Sequence, residues 1–328
     1  MSELRTLGRS GLKVGPLAFG GAQIGNLGKA VSSSQARETV DTAWDCGIRY
    51  FDTAPHYGLG LSEVRLGDAL RGRPRDDYLI STKVGRLLVP NPDGRLPDVE
   101  GFRVAPALKR RYDYSRDGVL RSIEDSLTRL RLDRIDIVYV HDPDNHYAQA
   151  VDEAFPTLDQ LRSEGVIGSY GAGMNQAQML ARFVQETDAD VMMAAGVVTL
   201  LEDSALDSLL PEAARRQVSV IAAAPFNSGL LATDHPSTDA TFAYAKATRQ
   251  LVDRAERIAE LCRSHGVPLP AAALQWALRH GEVPTVCVGM RSPAQVRRNV
   301  ELMSMPVPRA LWADLDASGL TRDGASLV

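Results

Sequence analysis

The sequence is poor in cysteine and has no long apolar run. Its three cysteines, Cys46, Cys262 and Cys287, lie far apart and form no C-x-x-C pair. Such a sparse, odd set excludes a disulfide framework and indicates reduced thiols in a cytoplasmic protein. No apolar stretch reaches the roughly 18 residues that a transmembrane helix needs, so we expect no membrane span. The N-terminus carries no basic stretch leading into an apolar one, and we expect no signal peptide.

Neither sign of charge is in large excess. The 328 residues include 37 Lys and Arg against 41 Asp and Glu, for a formal net charge of −4. This balance gives no electrostatic reason to expect nucleic acid or an anionic membrane as a partner. The densest basic cluster, residues 109–111, is predicted to be a solvated face. We expect a small-molecule substrate, assign no residue to metal binding, and expect a monomer or small homo-oligomer.

Short apolar runs alternate with longer amphipathic segments over nearly the whole chain. Runs rich in Val, Ile and Tyr without polar alternation are typical of parallel strands buried on both faces. The predicted strands are 15–20, 49–53, 78–82, 135–140, 167–171, 191–195, 218–223 and 285–288. The clearest predicted helices are 34–45, 61–70, 117–130 and 251–265. A serine among residues 32–34 is expected to cap the first helix, and Gly47 to end it.

Strand–helix units in this number favour a closed (β/α)8 barrel in which residues 1–328 form one domain. A doubly wound open sheet produces the same pattern and is the alternative. Residues 4–14 are predicted to form a β-hairpin that closes the N-terminal end of the barrel. Residues 87–115, 228–243 and 303–328 depart from the repeat, and the first of these carries four prolines. Long irregular segments of this kind are usually active-site lids or disordered inserts.

The strand ends carry a candidate catalytic set. In a parallel barrel, reactive side chains lie at the C-terminal ends of the strands. These ends carry Asp52, Tyr57, Lys83 and His141, which come from three neighbouring strands and are expected to converge in one pocket. Each residue alone is equally well explained as a helix cap, a packing residue or a surface group. Their joint placement is what indicates a site.

The chemistry of the four groups is coherent. A phenol with its usual pKa of about 10 transfers protons poorly at neutral pH. A neighbouring ammonium favours the phenolate, and a carboxylate holds the ammonium in place. We therefore predict that Tyr57 is a general acid or base whose pKa is lowered by Lys83, that Asp52 anchors Lys83, and that His141 hydrogen-bonds the substrate oxygen. The set suits hydride transfer at a carbonyl carbon.

At these residues the sequence resembles the aldo-keto reductase family. Residues 47–58, which read GIRYFDTAPHYG, are similar to the family's segment around its catalytic Asp and Tyr. Residues 81–85 (STKVG) and 136–141 (DIVYVH) are similar to its Lys and His segments. The resemblance extends from residue 4 to about residue 302. It implies the (β/α)8 barrel, NAD(P)-linked redox chemistry at a carbonyl or hydroxyl, and the four roles given above.

A nucleotide must bind outside the first strand turn, because no G-x-G-x-x-G motif follows it. Gly21 belongs only to a lone glycine pair. The loop after the seventh strand can bring backbone N–H groups to a pyrophosphate, or can form a simple Pro/Gly turn. Its candidate contacts are Ala224, Pro225, Phe226, Asn227, Ser228, Gly229 and Leu230. After the eighth strand, Ser292 and Pro293 predict a helix N-terminus, which favours a phosphate.

The family resemblance implies further nucleotide contacts. The stretch after the eighth strand is similar to the family's adenosine-binding segment, with Gly289, Arg291, Ser292, Gln295 and Asn299 as the contacts. Asn175 is expected to hold the nicotinamide carboxamide, and Asp52 to lie beside the cofactor. The sequence departs from the family in three places. Gly289 replaces a frequent Lys, Arg298 replaces a frequent acidic residue, and Gly173 replaces the usual Ser. Either NADP or NAD, or both, is therefore expected.

Within the family, residues 85–116, 171–175 and 227–231 resemble the bacterial D-threo-aldose 1-dehydrogenase (L-fucose dehydrogenase) branch, to which pyridoxal 4-dehydrogenases are similar. The implied reaction is oxidation of a cyclic hemiacetal at C1 to the lactone, with Tyr57 as the base. A polar lid bearing Arg110, Tyr112 and Asp113 would suit a polyhydroxy substrate. The alternatives are a broad aldehyde or ketone reductase and a non-catalytic nucleotide-binding subunit.

Overall fold

Eight parallel strands close into a barrel with helices around it. The computed structural model describes residues 4–92, 94, 98–237, 239, 241–242 and 245–322. The strands are β1 Arg5–Thr6, β2 Lys13–Val14, β3 Leu17–Gly20, β4 Tyr50–Asp52, β5 Leu79–Val84, β6 Arg86–Pro90, β7 Leu108–Tyr112, β8 Ile137–His141, β9 Ser169–Met174, β10 Val191–Ala195, β11 Ser219–Ala223, β12 Thr241–Phe242, β13 Ala245–Lys246 and β14 Thr285–Gly289. The barrel runs β3, β4, β5, β8, β9, β10, β11, β14 and back to β3. This closure confirms the predicted (β/α)8 fold and excludes the doubly wound sheet.

The helices follow the barrel strands along the chain. They are α1 Ser33–Asp45, α2 Leu61–Leu70, α3 Arg116–Leu130, α4 Tyr147–Gln149, α5 Phe155–Ser163, α6 Ala177–Glu186, α7 Leu209–Arg216, α8 Arg249–Ser264, α9 Leu269–Trp276, α10 Pro293–Ser304 and α11 Arg309–Ala317. Ser32 caps α1 by accepting a hydrogen bond from the Gln35 N–H, as the sequence predicts. In the part of the chain that is described, no helix has both the length and the apolar character needed to cross a membrane.

Two apolar cores hold the architecture together. The larger lies between the outer faces of the strands and the helices. The smaller fills the barrel, where Tyr50 and Tyr139 share a hydrogen bond of 3.0 Å. Leu7 and Val14 of the β1–β2 hairpin are buried in this inner core. The hairpin therefore closes the N-terminal end of the barrel, as predicted.

The long insert differs from its expected form. Residues 87–115 are predicted as an irregular segment, but β6 and β7 pair in antiparallel register from Arg86 with Tyr112 to Pro90 with Leu108. We call this pair of strands the ribbon. It forms because the sharp turn at Gly85, with φ +100°, lets the chain leave β5 and enter β6 at once. Pro97 of this insert and residues 323–328 of the tail lie outside the described residues.

Candidate active site

The four predicted catalytic side chains do converge. All barrel strands are parallel, so their C-terminal ends form one rim. Asp52 ends β4, Lys83 lies at the end of β5, and His141 ends β8. The Tyr57 ring lies beside both of the last two, with its centroid 4.6 Å from the Lys83 Nζ and 5.9 Å from the His141 ring centroid. The juxtaposition predicted from strand ends is therefore present.

Asp52 and Lys83 form a buried ion pair beneath this site. Each is 2% exposed. The Lys83 Nζ donates to both carboxylate oxygens of Asp52, at 2.8 and 2.7 Å, and to the Thr53 carbonyl at 2.9 Å. Burial alone favours the neutral amine, but the charge and hydrogen bonds of Asp52 outweigh it and raise the pKa of Lys83. Burial raises the pKa of Asp52, and Lys83 opposes that shift.

The Tyr57 loop is fixed by a close approach of two backbones. The Gly58 φ is +66°, and a Cβ there would lie 2.2 Å from the Gly25 carbonyl oxygen. Only glycine fits such a contact in a left-handed conformation. The segment around Gly25 is thereby packed directly against the residue that follows Tyr57, which fixes where the phenol enters the pocket.

The predicted direction of the Tyr57 pKa shift is wrong. Burial raises the pKa of Tyr57 above its ordinary value. The charge of Lys83 acts in the predicted downward direction, but it only offsets part of the burial effect, and the charge of Asp52 raises the pKa further. The sequence shows that Lys83 is near Tyr57, but it does not show how completely both are removed from water.

His141 is a neutral imidazole at physiological pH. It is 6% exposed. Burial lowers the pKa of His141 well below its usual value, and the positive charge of Arg86 lowers it further. The Nδ1 atom of His141 is buried and has no hydrogen-bond partner among the described residues. A buried polar atom of this kind is costly unless a ligand or water satisfies it.

Sequence reasoning missed three polar groups beside the pocket. Arg86, the first residue of β6, contacts His56 on one side and Asp142 on the other. The His56 ring lies 5.3 Å from the His141 ring and 5.9 Å from the Tyr57 ring, centroid to centroid. His56 and Asp142 are chain neighbours of Tyr57 and His141, which is the signal that could have found them.

The insert also covers the phenol. Phe102 is 3% exposed and stacks on Tyr57 with centroids 6.1 Å apart. Arg110 forms a buried ion pair with Asp98 at 2.5 Å and donates to the His56 carbonyl at 2.9 Å. The prediction that residues 109–111 form a solvated face is thus wrong for Arg110. Asp113 accepts from the Ser115 hydroxyl, which caps α3, so its carboxylate supports that helix.

The predicted nucleotide loop after β11 has an unusual backbone. Ala224, Asn227, Ser228 and Gly229 have φ values of +54°, +45°, +59° and +105°. Turns that contain left-handed residues can direct backbone N–H groups toward an anion. The Gly229 N–H donates to the Phe226 carbonyl and the Leu230 N–H to the Asn227 carbonyl, so these two N–H groups are used inside the loop. Pro225 is buried.

An orphaned atom in this loop fits a bound nucleotide. Asn227 is 4% exposed, its Nδ2 donates to the Gly196 carbonyl at 3.3 Å, and its Oδ1 has no partner among the described residues. A buried amide oxygen left in this state is satisfied when a donor group binds beside it. The loop therefore fits the nucleotide that the sequence implies.

The second nucleotide segment forms the predicted helix N-terminus. Ser292 caps α10 by accepting from the Gln295 N–H at 3.3 Å. The Gln295 side chain accepts from the Arg291 N–H at 2.9 Å, and the Arg291 guanidinium donates to Gln23. Asn299 is 7% exposed. Arg291 is therefore held at the entrance to α10, where its charge adds to that of the helix end.

The remaining predicted contacts are placed at the same rim. Gly289 ends β14 opposite Gly20, and Asn175 follows the end of β9 with its side chain exposed. The Gly21 N–H donates to the Asp52 carbonyl at 2.8 Å. Gly21 therefore holds the β3 end against β4 with a backbone bond of its own, and the cofactor contact predicted for it stays a prediction.

Comparison with known proteins agrees with this geometry. The model of the aldo/keto reductase family matches residues 16–319. The chain is 46% identical to a D-threo-aldose 1-dehydrogenase from a Pseudomonas species, covering 93% of this chain and 94% of that protein. It is 39% identical to a pyridoxal 4-dehydrogenase from Microbacterium luteolum, covering 97% and 98%. The holo form of an aldo-keto reductase from Bacillus halodurans superimposes with a TM-score of 0.76 at 26% identity, covering 99% and 98%. The chain belongs to the aldo/keto reductase family.

Proposed function

We propose that this protein is an NAD(P)-dependent dehydrogenase that oxidises an aldose, of the L-fucose or D-threo type, at C1 to the lactone. The observation that carries the proposal is the phenol of Tyr57 set between the buried Lys83–Asp52 pair and the neutral imidazole of His141. A nicotinamide nucleotide held by Asn175, the loop of residues 224–230 and the entrance to α10 would supply the hydride acceptor for C1. The protein's own groups handle the proton of the C1 hydroxyl.

Tyr57 takes that proton in the oxidative direction. The phenolate is the base, and the ammonium of Lys83 stabilises it electrostatically. Asp52 keeps Lys83 charged and oriented, because the Nζ donates to both of its carboxylate oxygens and to the neighbouring Thr53 carbonyl. When the O–H bond of the hemiacetal breaks, its proton passes to the Tyr57 oxygen while the carbonyl of the lactone forms.

His141 orients the substrate oxygen in this scheme. Burial lowers its pKa, so it remains neutral and does not repel Lys83. A neutral imidazole has one donor and one acceptor nitrogen and can hold a hydroxyl or a carbonyl oxygen. For nucleotide binding we propose Asn175, the loop of residues 224–230, and the entrance to α10 with Arg291, Gln295 and Asn299.

The name of the first relative supports the choice of a sugar. That protein is described as a D-threo-aldose 1-dehydrogenase and shares 46% identity over 93% of this chain. The relative described as a pyridoxal 4-dehydrogenase shares 39% identity and is the reason to keep a second candidate, pyridoxal 4-dehydrogenase activity.

The first experiment is a substrate panel. Purified protein is assayed with L-fucose, other aldoses and pyridoxal against NAD⁺ and NADP⁺, and with simple aldehydes against NADH and NADPH. The proposal expects the largest kcat/KM with an aldose. A larger kcat/KM with pyridoxal or with simple aldehydes would replace the substrate assignment but keep the chemistry. Nucleotide binding without turnover of any compound would instead favour a non-catalytic subunit.

The second experiment tests Tyr57. Replacing its phenol by Tyr57→Phe should lower kcat by about 10²–10⁴-fold, the contribution typical of a general acid or base. Nucleotide affinity, measured by quenching of tryptophan fluorescence, should be unchanged. Tyr147→Phe is the matched control, because the Tyr147 hydroxyl donates to Glu186 at an exposed position and not to any of the catalytic groups. Because burial raises the pKa of Tyr57, oxidation by the wild type should also accelerate as pH increases. Unchanged kcat in Tyr57→Phe would refute its role.

A further inference from the structure

Arg86 occupies a position that the chain reaches only by a sharp turn. Lys83 lies three residues earlier, and β6 begins directly after Gly85. A Cβ on Gly85 would lie 2.1 Å from the Tyr114 ring. The turn therefore brings Arg86 back over the barrel mouth, and its side chain is 9% exposed there.

Arg86 forms hydrogen bonds with two residues that are adjacent in sequence to Tyr57 and His141. Its Nη2 donates to Asp142 Oδ2 at 2.5 Å, and its Nη1 lies 3.1 Å from His56 Nδ1. His56 precedes Tyr57, and Asp142 follows His141. The Tyr114 hydroxyl donates to the carbonyls of His141 and Asp142, at 2.7 and 3.0 Å, so the β8 end is held from the other side as well.

We propose that Arg86 is a positioning residue that fixes the spacing between the Tyr57 phenol and the His141 imidazole by bridging His56 and Asp142. The inference rests on the proposed roles of Tyr57 and His141. A guanidinium suits this task because its planar fork donates in two fixed directions, whereas an ammonium is a single point charge. Both bridged residues come from loops, which without a cross-link would place Tyr57 and His141 independently of one another.

The positive charge of Arg86 also acts on the imidazoles of His56 and His141. Burial, together with the charges of Arg86, Arg110 and Lys83, lowers the pKa of His56 to about 2. The charged and titratable groups that face the two rings are Arg86 and Arg110 from the ribbon, Lys83 from β5, Tyr57 from the loop after β4, and Asp142 beside His141. Asp142 is the one acidic group in this set, and Arg86 pairs with it. Removing Arg86 should therefore let both imidazoles protonate at a higher pH.

The kinetic test compares Arg86→Gln, Arg86→Lys and Asp142→Asn with the wild type. We expect kcat to fall by about 10²-fold in each, since displacing a catalytic group by about 1 Å costs that much. The Kd of the nucleotide should change by less than about threefold, because the hydrogen bonds of Arg86 go to His56 and Asp142 and not to the predicted nucleotide contacts. Arg111→Gln is the matched control, since Arg111 is on the same ribbon and its side chain is 53% exposed.

A double-mutant cycle tests the bridge itself. If Arg86 and Asp142 act as one unit, Arg86→Gln/Asp142→Asn should lower kcat no further than either single change. Additive losses in the cycle, or a kcat within about threefold of the wild type in Arg86→Gln, would overturn the proposal. If Arg86→Gln fails to fold, the kcat values of Arg86→Lys and Asp142→Asn still test the proposal.

A substrate-free measurement separates this inference from the proposed function. The ring carbons of the histidines are followed by NMR during a pH titration, with His56→Gln and His141→Gln used to assign the signals. We expect both rings to titrate below the ordinary histidine pKa of about 6.5 in the wild type. At least one should titrate at a higher pH in Arg86→Gln but not in Arg111→Gln. Identical titrations in wild type and Arg86→Gln would overturn the electrostatic part. Failure of the substrate panel would leave this result unaffected.

Discussion

Replacing Asp52 by asparagine should leave the ammonium of Lys83 buried in the barrel without its counter-ion. Lys83 is 2% exposed, and its Nζ donates two hydrogen bonds to the carboxylate of Asp52. The Ser81 hydroxyl also donates to this carboxylate, at 2.7 Å. These donors all favour an ionised Asp52. The amide of asparagine keeps a single acceptor oxygen and loses the charge, so the ammonium must be held without its counter-ion or lose its proton.

The cost follows from the burial of the pair. Removing one partner of a buried ion pair typically destabilises a protein by about 3–5 kcal/mol. Unfolding carries an entropy of about 2.1 cal/mol/K per residue near 60 °C, which for 328 residues amounts to roughly 0.7 kcal/mol/K. The midpoint of thermal unfolding should therefore fall by about 4–7 °C in Asp52→Asn.

Calorimetry and urea unfolding at pH 7 measure this loss. Asp68→Asn is the control, because Asp68 pairs with Arg131 at 2.7 Å on the surface, where its side chain is 45% exposed. That change should cost no more than about 1 kcal/mol. Adding Lys83→Met to Asp52→Asn removes the stranded ammonium and should restore part of the stability. A loss below about 1 kcal/mol in Asp52→Asn, or no recovery in the double variant, would show that the pair is not ionised.

Two further predictions concern pH and the loop of Tyr57. Burial lowers the pKa of both His56 and His141, so mainly the unfolded chain takes up these protons as the pH falls through about 6.5. The free energy of unfolding should therefore decrease by about 2 kcal/mol between about pH 6.5 and 5.5. A flat series of urea midpoints over this range would contradict it. Gly58→Ala places a Cβ 2.2 Å from the Gly25 carbonyl oxygen. Gly72 is the control, because its backbone is also left-handed but nothing lies within 4 Å of a Cβ there. Gly72→Ala should lower the free energy of unfolding by roughly 1–2 kcal/mol, and Gly58→Ala should lower it by more. The kcat of Gly58→Ala should fall as well, because Tyr57 is displaced, and equal stability losses in the two variants would refute the close-contact argument.

Local patterns in the sequence determined the barrel and the ring of strand ends. Each of the eight predicted strands overlaps an observed barrel strand, and residues 61–70 and 191–195 match α2 and β10 in full. These segments are set by side-chain periodicity, by capping residues such as Ser32 and Ser292, and by the depth to which parallel strands are buried. Because the strands are parallel, their order along the chain was enough to bring Asp52, Lys83 and His141 to one rim.

Tertiary structure alone decided the electrostatics and the second layer of contacts. The sign of the Tyr57 pKa shift depends on burial, and Phe102, 45 residues further along the chain, is one of the side chains that cover the ring. Arg110 turned inward because Asp98 and the His56 carbonyl meet it there. Arg86 joins His56 and Asp142 across two loops. None of these distances is encoded in local periodicity, because desolvation and charge pairing depend on which distant segments fold over the same point.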